Sequence, residues 1–306
     1  MKLTISRIEQ VAQDVKAFEL RDTAGGALPA FESGAHIELH LSPGLIRRYS
    51  LTSDPSDLSH YTIAVLHHPG GRGSSLLHER FNGGDTIETE APRAGFGLVD
   101  APHSILIAGG IGITPILSHT RELARRGASF DVHYAAHSRE QMAFRDAVEE
   151  YAGRRAFLYI SSESRRMDVA TILKSSPADS HVYVCGPARL VDSVRTTAGV
   201  LGLRGDQIHF ESFGPLWIAT DQSVHLELAL SGLTLDVPVG QTLLEAIEAA
   251  GIWVPYDCRR GECHMCMTQV VNGQPVHRDH CLSQEERESS MTPCVSWARG
   301  SLSLEL

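Results

Sequence analysis

Three thiols crowd the stretch CRRGECHMC, from Cys258 to Cys266, and a fourth, Cys294, follows after 27 intervening residues. A C-x4-C-x2-C run with a distant fourth Cys is a spacing that holds a [2Fe–2S] cluster, with two of the first three thiolates on one iron. Gly261 lies inside the loop and supplies the unusual φ that such a wrap requires. Backbone N–H groups of the loop can then donate to the cluster sulfurs and tune the potential. A zinc site normally uses paired C-x2-C knuckles, and one knuckle is present here. No C-x-H…C-x2-H spacing occurs, so the chain is not itself a Rieske protein. Cys185 and Cys281 fall outside the spacing and read as buried thiols acting as small hydrophobes.

Two glycine segments suggest a second chemistry. AGGIGITP, Ala108 to Pro115, leaves an apolar run and enters a helical pattern. Such a turn lets the backbone approach a pyrophosphate, and the helix N-terminus favours the anion. It is not G-x-G-x-x-G, and a tight turn with no ligand is the competing reading. VYVCGPARL repeats the arrangement at Cys185-Gly186-Pro187, and two such turns outline a crevice at the carboxyl ends of a sheet. Nearer the N-terminus, RRYSL (Arg47 to Leu51) and GGRGSS (Gly70 to Ser75) combine arginine, hydroxyls and free backbone, which together could cradle a phosphate. Tyr49 could lie against a planar ring. Taken alone, both stretches read equally as surface turns.

These residues need elements to position them. Up to about residue 100, KLTISRIEQVA, AFELRD, AHIELHL, RRYSLTS, HYTIAVLHH and GDTIETEAP alternate or carry β-branched runs between turns, the pattern of a small antiparallel barrel. From residue 102 strands and helices alternate: SILIAGG, then ITPILSHTRELARRG with Ile113, Ile116, Leu117 and Leu123 on one face, through to QIHFESF. That alternation implies a parallel sheet covered on both faces. A linker is expected within GPLWIATDQS, Gly214 to Ser223, and β pattern resumes at VHLELAL. The helix TLLEAIEAAG opens with a Thr242/Glu245 capping box and precedes the cysteine loop.

Size and charge narrow the classes. At 306 residues two or three domains are expected. A formal net charge of −10 argues against nucleic acid as a partner. The longest nearly apolar run, Ser104 to Leu117, is too short and too glycine-rich to span a bilayer. MKLTISRIEQ shows no apolar h-region, so no membrane or secretory role is read and a cytoplasmic location is expected.

In this order, RRYS, GGIGITP, CGP, HFESF and CRRGECHMC…C resemble the phthalate dioxygenase reductase family, which includes the vanillate demethylase reductases and belongs to the ferredoxin–NADP reductase superfamily. The resemblance covers essentially the whole chain. It implies a multidomain α/β and β protein: an N-terminal antiparallel FMN-binding β-barrel (1–101), a central parallel α/β nicotinamide-binding domain (102–215), a linker (216–223), and a C-terminal β-grasp-like, plant-type [2Fe–2S] ferredoxin domain (224–306). It also implies roles. Arg47 would bind the flavin phosphate with Arg48 beside it, Tyr49 would pack on the isoalloxazine and Ser50 would hydrogen-bond near N5. Ala64, Val65 and Leu66 would line the ring, and Gly73, Ser74 and Ser75 would complete the phosphate cradle. Thr114, followed by Pro115, would sit near flavin and nicotinamide, with Gly109, Gly110 and Gly112 giving the dinucleotide room. Cys185, Gly186 and Pro187 would lie beside the nicotinamide, and Glu211, Ser212 and Phe213 would flank the flavin. Cys258, Cys263, Cys266 and Cys294 would hold the cluster.

The implied chemistry converts a hydride from NADH into single electrons: a flavin takes the hydride and the cluster passes electrons on singly. Ser50, Thr114, Cys185 and Phe213 would stand along that relay, and no residue is assigned as acid or base. The expected acceptor is a separate terminal oxygenase with a Rieske centre and non-haem iron. A cytochrome or separate ferredoxin as acceptor, or a redox sensor without turnover, are the alternatives. NADH is expected from the family, yet His137-Ser138-Arg139 follows FDVHYAA without a carboxylate, and Arg139 could meet a 2′-phosphate. His264-Met265 departs from the small residues of relatives, and Arg259-Arg260 reads either as a docking patch or as a solvated pair.

Overall fold

Alternating burial along the first strands shows what closes the N-terminal sheet. Leu3 and Ile5, Phe18 and Leu20, and Ile37 and Leu39 each point inward two residues apart and pack into one core. They lie on β1 (Lys2–Ala12), β2 (Val15–Asp22) and β3 (His36–Ser42). With β4 (Leu45–Ser50), β5 (Tyr61–Leu66) and β6 (Thr86–Thr89) these form a six-stranded antiparallel sheet, order β4-β3-β6-β1-β2-β5. A bridge between Leu51 and Ile63 brings its two edges together. One helix, α1 (Arg72–Glu79), connects β5 to β6. The computed structural model describes residues 1–68, 71–213 and 220–306; Gly70 of the glycine segment and residues 216–219 of the expected linker lie outside them.

The alternating segment forms β7 (Ser104–Gly109), α2 (Ile113–Arg125), β8 (Phe130–Ala136), α3 (Arg145–Ala152), β9 (Ala156–Ile160), α4 (Val169–Ser175), β10 (His181–Gly186), α5 (Ala188–Val200) and β11 (Ile208–Ser212). Its five strands are parallel, in the order β11-β10-β7-β8-β9. β7 is buried on both faces: Leu106 and Ala108 pack with α2 and α3, while Ile105 and Ile107 pack with α4 and α5. The order reverses between β7 and β10, a topological switch point, where ligands of open α/β sheets bind beyond the strands' carboxyl ends.

The chain divides into two compact units, Met1–Gly214 and Pro215–Leu306. Within the first, barrel residues Val15, Ala64 and Phe96 share one apolar cluster with Ile113, Ile116 and Leu117 of α2. Arg121 of α2 donates to the Thr52 carbonyl, and the amide of Val99 donates to the Tyr183 hydroxyl (2.7 Å). His119 bonds Ser33 at 3.2 Å, and burial drives its pKa down to about 3, so the imidazole there is neutral.

The second unit holds β12 (Val224–Leu228), β13 (Leu233–Val237), α6 (Leu243–Ala249), β14 (Thr268–Val276), β15 (Ser290–Met291) and β16 (Trp297–Leu304). Its mixed sheet runs β13-β12-β16-β14-β15, with β12 and β16 parallel. The expected capping box is present: the Glu245 amide donates to Thr242 Oγ1 and the Thr242 amide to Glu245 Oε2, both at 3.0 Å. Leu244 and Ile247 of α6 pack with Leu226, Leu302 and Leu304 of the sheet. Among the described residues, no helix is long and apolar enough to cross a membrane.

Candidate functional site: cysteine loop, glycine crevice and barrel cradle

The cysteine loop leaves α6 and wraps before β14. Gly261 carries φ +69°, and a Cβ there would fall 2.5 Å from Val295 Cγ2 and 2.9 Å from Asp279 Cα, so glycine alone fits the wrap. Arg259 (φ 50°) and His264 (φ 70°) are also left-handed. The turn aims amides inward. Those of Arg260, Glu262 and Cys263 converge on Cys258 Sγ at 3.3, 3.4 and 3.3 Å, and the Cys258 amide donates to Cys263 Sγ at 3.4 Å. Burial pushes the Cys258 thiol above its ordinary value, and the three amide donors on its sulfur work against that, favouring the thiolate a metal takes.

Cys266 and Cys294 meet in the core of the second unit. The hydrogen bond between them holds Cys266 below the ordinary thiol value, and the same contact with burial pushes Cys294 up. The four sulfurs thus meet two by two, Cys258 with Cys263 and Cys266 with Cys294. Among the described residues, no three His, Cys, Asp or Glu side chains converge as the ligands of a single ion. Two thiol pairs, one ringed by amide donors, fit the donor set of a two-iron cluster. Cys281 lies beside them, half-buried where the sequence suggested a buried thiol, while Cys185 is buried as expected; partial burial lifts the Cys281 thiol to about 11, and the His264 amide lowers it.

Charged neighbours of the loop are internally engaged. Arg259 bonds Glu248 at 2.7 Å and lies 3.8 Å over the Tyr256 ring, Arg260 reaches Glu262 at 3.1 Å, and His264 stands 3.0 Å from Glu286. Trp253 (78% exposed), Tyr256, Met265 and Met267 are open to solvent around the loop.

At the switch point the two glycine turns pack directly on each other. Ala108 and Cys185 are register partners on β7 and β10. A Cβ on Gly112 would lie 2.2 Å from the Cys185 carbonyl oxygen, and one on Gly109 would lie 2.9 Å from Pro187 Cδ. Gly110 takes φ +55° in the 3-10 turn Gly110–Gly112 that opens α2. Thr114 Oγ1 donates to the Ile111 carbonyl (3.1 Å), and Pro115, which lacks an N–H, sits in the first turn, where that donor has no helical partner. Glu211 and Ser212 pair in register with Cys185 and Gly186, and the Phe213 amide donates to the Gly186 carbonyl at 3.0 Å. Ile111 and Phe213 both pack on the apolar cluster that contains Ala64, and the glycine turn lies against strand β5 of the barrel.

In the barrel, strand alternation sends Arg47 and Tyr49 to one side of β4 and Arg48 and Ser50 to the other. Arg48 donates to Glu38 across the β3/β4 ladder at 2.7 Å. Arg47 lies along α1: a Cβ on Gly73 would be 2.7 Å from Arg47 Cγ. Among the described residues no side chain caps the N-terminus of α1, so first-turn amides and a guanidinium lie in one place. Ser74 Oγ accepts the His68 amide at 3.1 Å, and Ser75 Oγ is 3.4 Å from His67 Nε2. Ala64 belongs to the cluster shared with the α/β sheet, Val65 to the barrel core, and Leu66 is exposed.

Comparison with known proteins agrees with this geometry. Residues 2–97 match an oxidoreductase FAD-binding domain, 106–196 an oxidoreductase NAD-binding domain, and 226–299 a 2Fe-2S iron-sulfur cluster binding domain. The solved phthalate dioxygenase reductase superposes with a TM-score of 0.85 at 33% identity, covering 100% of this chain and 98% of that one. The vanillate O-demethylase oxidoreductase of a Pseudomonas species is 38% identical over 98% of this chain and 97% of its own. The chain belongs to the phthalate dioxygenase reductase family. The heme-dependent oxidative N-demethylase beta subunit of Ectopseudomonas mendocina is also similar, at 39% identity over 98% of this chain and 97% of its own. The reductase is therefore an oxidoreductase with flavin-, nicotinamide- and iron–sulfur-binding domains.

Several supporting residues carry no sequence signal. Asp279, under Gly261, accepts the Leu282 amide (3.1 Å) and pairs with Arg287; burial alone would raise its pKa, and these partners hold it below the ordinary value. Glu163 grips Arg139 from the neighbouring strand end. Only a known sheet order would have shown that pairing.

Proposed function

We infer that this reductase is the NADH-dependent component of a multicomponent oxygenase, with FMN in the barrel and a [2Fe–2S] cluster on Cys258, Cys263, Cys266 and Cys294. The two-by-two pairing of thiols, in one chain with a glycine crevice at a sheet's switch point, carries this reading. When bound, the flavin accepts a hydride from the dinucleotide and releases electrons singly, and the cluster transmits one electron at a time.

The chain's own residues position these groups. Arg47 and the open α1 N-terminus, with Gly73, Ser74 and Ser75, suit a terminal phosphate, which supports FMN. Tyr49, the side chains of Ala64 and Leu66 and the backbone at Val65 offer a wall for the ring, and Ser50 a hydroxyl at its edge. Arg48, tied to Glu38, fixes β4 in register. Gly109, Gly110 and Gly112 let the dinucleotide backbone come close, Thr114 and Pro115 shape the helix start, and Cys185–Pro187 close the crevice. Glu211, Ser212 and Phe213 border it at the end of β11. Proton transfer from a side chain is not required, so Ser50, Thr114, Cys185 and Phe213 act by positioning.

The acceptor is proposed to be a Rieske-type non-haem iron oxygenase, and the location cytoplasmic, where the six free cysteines stay reduced. A haem-dependent oxygenase is a second reading, favoured by the name of the Ectopseudomonas mendocina relative. Anaerobic absorbance before and after NADH tests the core reading: flavin and cluster bands that bleach together are expected, with heat-released flavin running as FMN. Flavin bands without cluster bands would overturn the cluster assignment. NADH consumption with purified Rieske or haem oxygenases decides between the acceptors.

A further inference from the structure

At the carboxyl edge of the parallel sheet, β8 and β9 end in register, Ala136 beside Ile160. Three residues beyond each end stand Arg139 and Glu163. Their side chains form a two-pronged pair, Nε to Oε1 at 2.6 Å and Nη2 to Oε2 at 2.9 Å. The loops carrying them are knit together: the Ser162 amide donates to the His137 carbonyl at 2.9 Å, and His137 Nδ1 lies 3.2 Å from Ser161 Oγ. Arg165 adds a second positive charge acting on Glu163. Side-chain exposures of 50% and 39% leave the Arg139–Glu163 pair open to a ligand.

This edge also carries both glycine turns. β9 is two strands from β7, roughly 10 Å at ordinary strand spacing. A dinucleotide with its pyrophosphate at the Gly109–Gly112 turn reaches that far with its adenosine ribose. In sheets of this kind, a carboxylate at a strand end accepts the ribose 2′-OH, while an arginine accommodates a 2′-phosphate. Here both groups are present, and the carboxylate already fills the guanidinium fork. A 2′-phosphate would have to displace Glu163 and face its charge. A 2′-hydroxyl meets no repulsion and can donate to a lone pair the arginine leaves over.

We propose that Glu163 sets the preference of this reductase for NADH over NADPH by occupying Arg139. The inference rests on the proposed function in one respect, that a dinucleotide lies along this edge. Steady-state rates of the full-length holoprotein with ferricyanide as acceptor test it. Glu163→Gln is expected to raise kcat/KM for NADPH about tenfold or more, with NADH changing far less. Adding Arg139→Ala to that variant should abolish the gain. Calorimetric titration with 2′,5′-ADP should show the same tenfold tightening in Glu163→Gln and its loss in the double variant. Wild-type preference for NADPH, or a Glu163→Gln protein with unchanged NADPH rate and 2′,5′-ADP affinity, would overturn the assignment of Glu163 alone. A holoprotein reduced by neither dinucleotide would overturn the nicotinamide reading and this one together.

Discussion

At the scale of single residues, five cysteines of the second unit lie close together and four are assigned to the cluster. Cys294→Ser removes half of a buried thiol pair. The protein should lose its cluster bands while keeping flavin and NADH–ferricyanide activity. Cys281→Ser, outside both pairs, should keep the cluster spectrum; its loss would mean that Cys281 is a ligand. In the barrel, Glu38 is partly buried; burial alone would raise its pKa, and Arg48 holds it below the ordinary value. A carboxyl depressed in the folded state adds stability above its unfolded value, and that stability disappears as pH falls through the folded value. Glu38→Gln should therefore cost about 2 kcal/mol at neutral pH and less in acid, read by denaturant unfolding at both pH values. Sequence alone exposed the cysteine spacing because ligands must recur at intervals the metal dictates. It left open how the thiols pair, since Cys266 meets Cys294 only once the chain has folded back from Cys294 to the loop.

Among the elements, α6 shows how a local rule survives folding. Its capping box was readable because both partners lie within one turn. Thr242→Ala leaves the Glu245 amide unpaired and should cost about 1 kcal/mol, measured as a lower midpoint for the transition that follows the cluster absorbance. The helix α1 is the opposite case. Glycine and serine open it, so Gly70 to Ser75 reads as a loop, and its shape comes from packing: Leu77 is buried in the barrel core and Gly73 abuts Arg47. The parallel sheet was legible from alternating strands and helices. The contact between its two glycine turns was not, because Gly112 and Cys185 lie far apart in sequence and meet only once β7 and β10 are neighbours. Likewise, a reading of Arg139 as a free partner for a 2′-phosphate changes once β9 delivers Glu163 beside it.

For the whole molecule, three sheets divide the work, and the iron–sulfur unit exposes an apolar rim around its loop. Of the three tryptophans in the chain, Trp297 is buried and Trp253, five positions before Cys258, is 78% exposed. That placement makes Trp253 a natural optical gauge. Indole emission overlaps the near-ultraviolet absorption of an iron–sulfur centre, so light absorbed by Trp253 should be lost to the cluster when it is present. Emission that rises when the cluster is stripped, with most of the rise missing in Trp253→Phe, would give the protein a built-in readout of cluster occupancy. A partner that covers the rim should then shift the same emission to shorter wavelength, so the docking event could be followed by colour before any electron is counted.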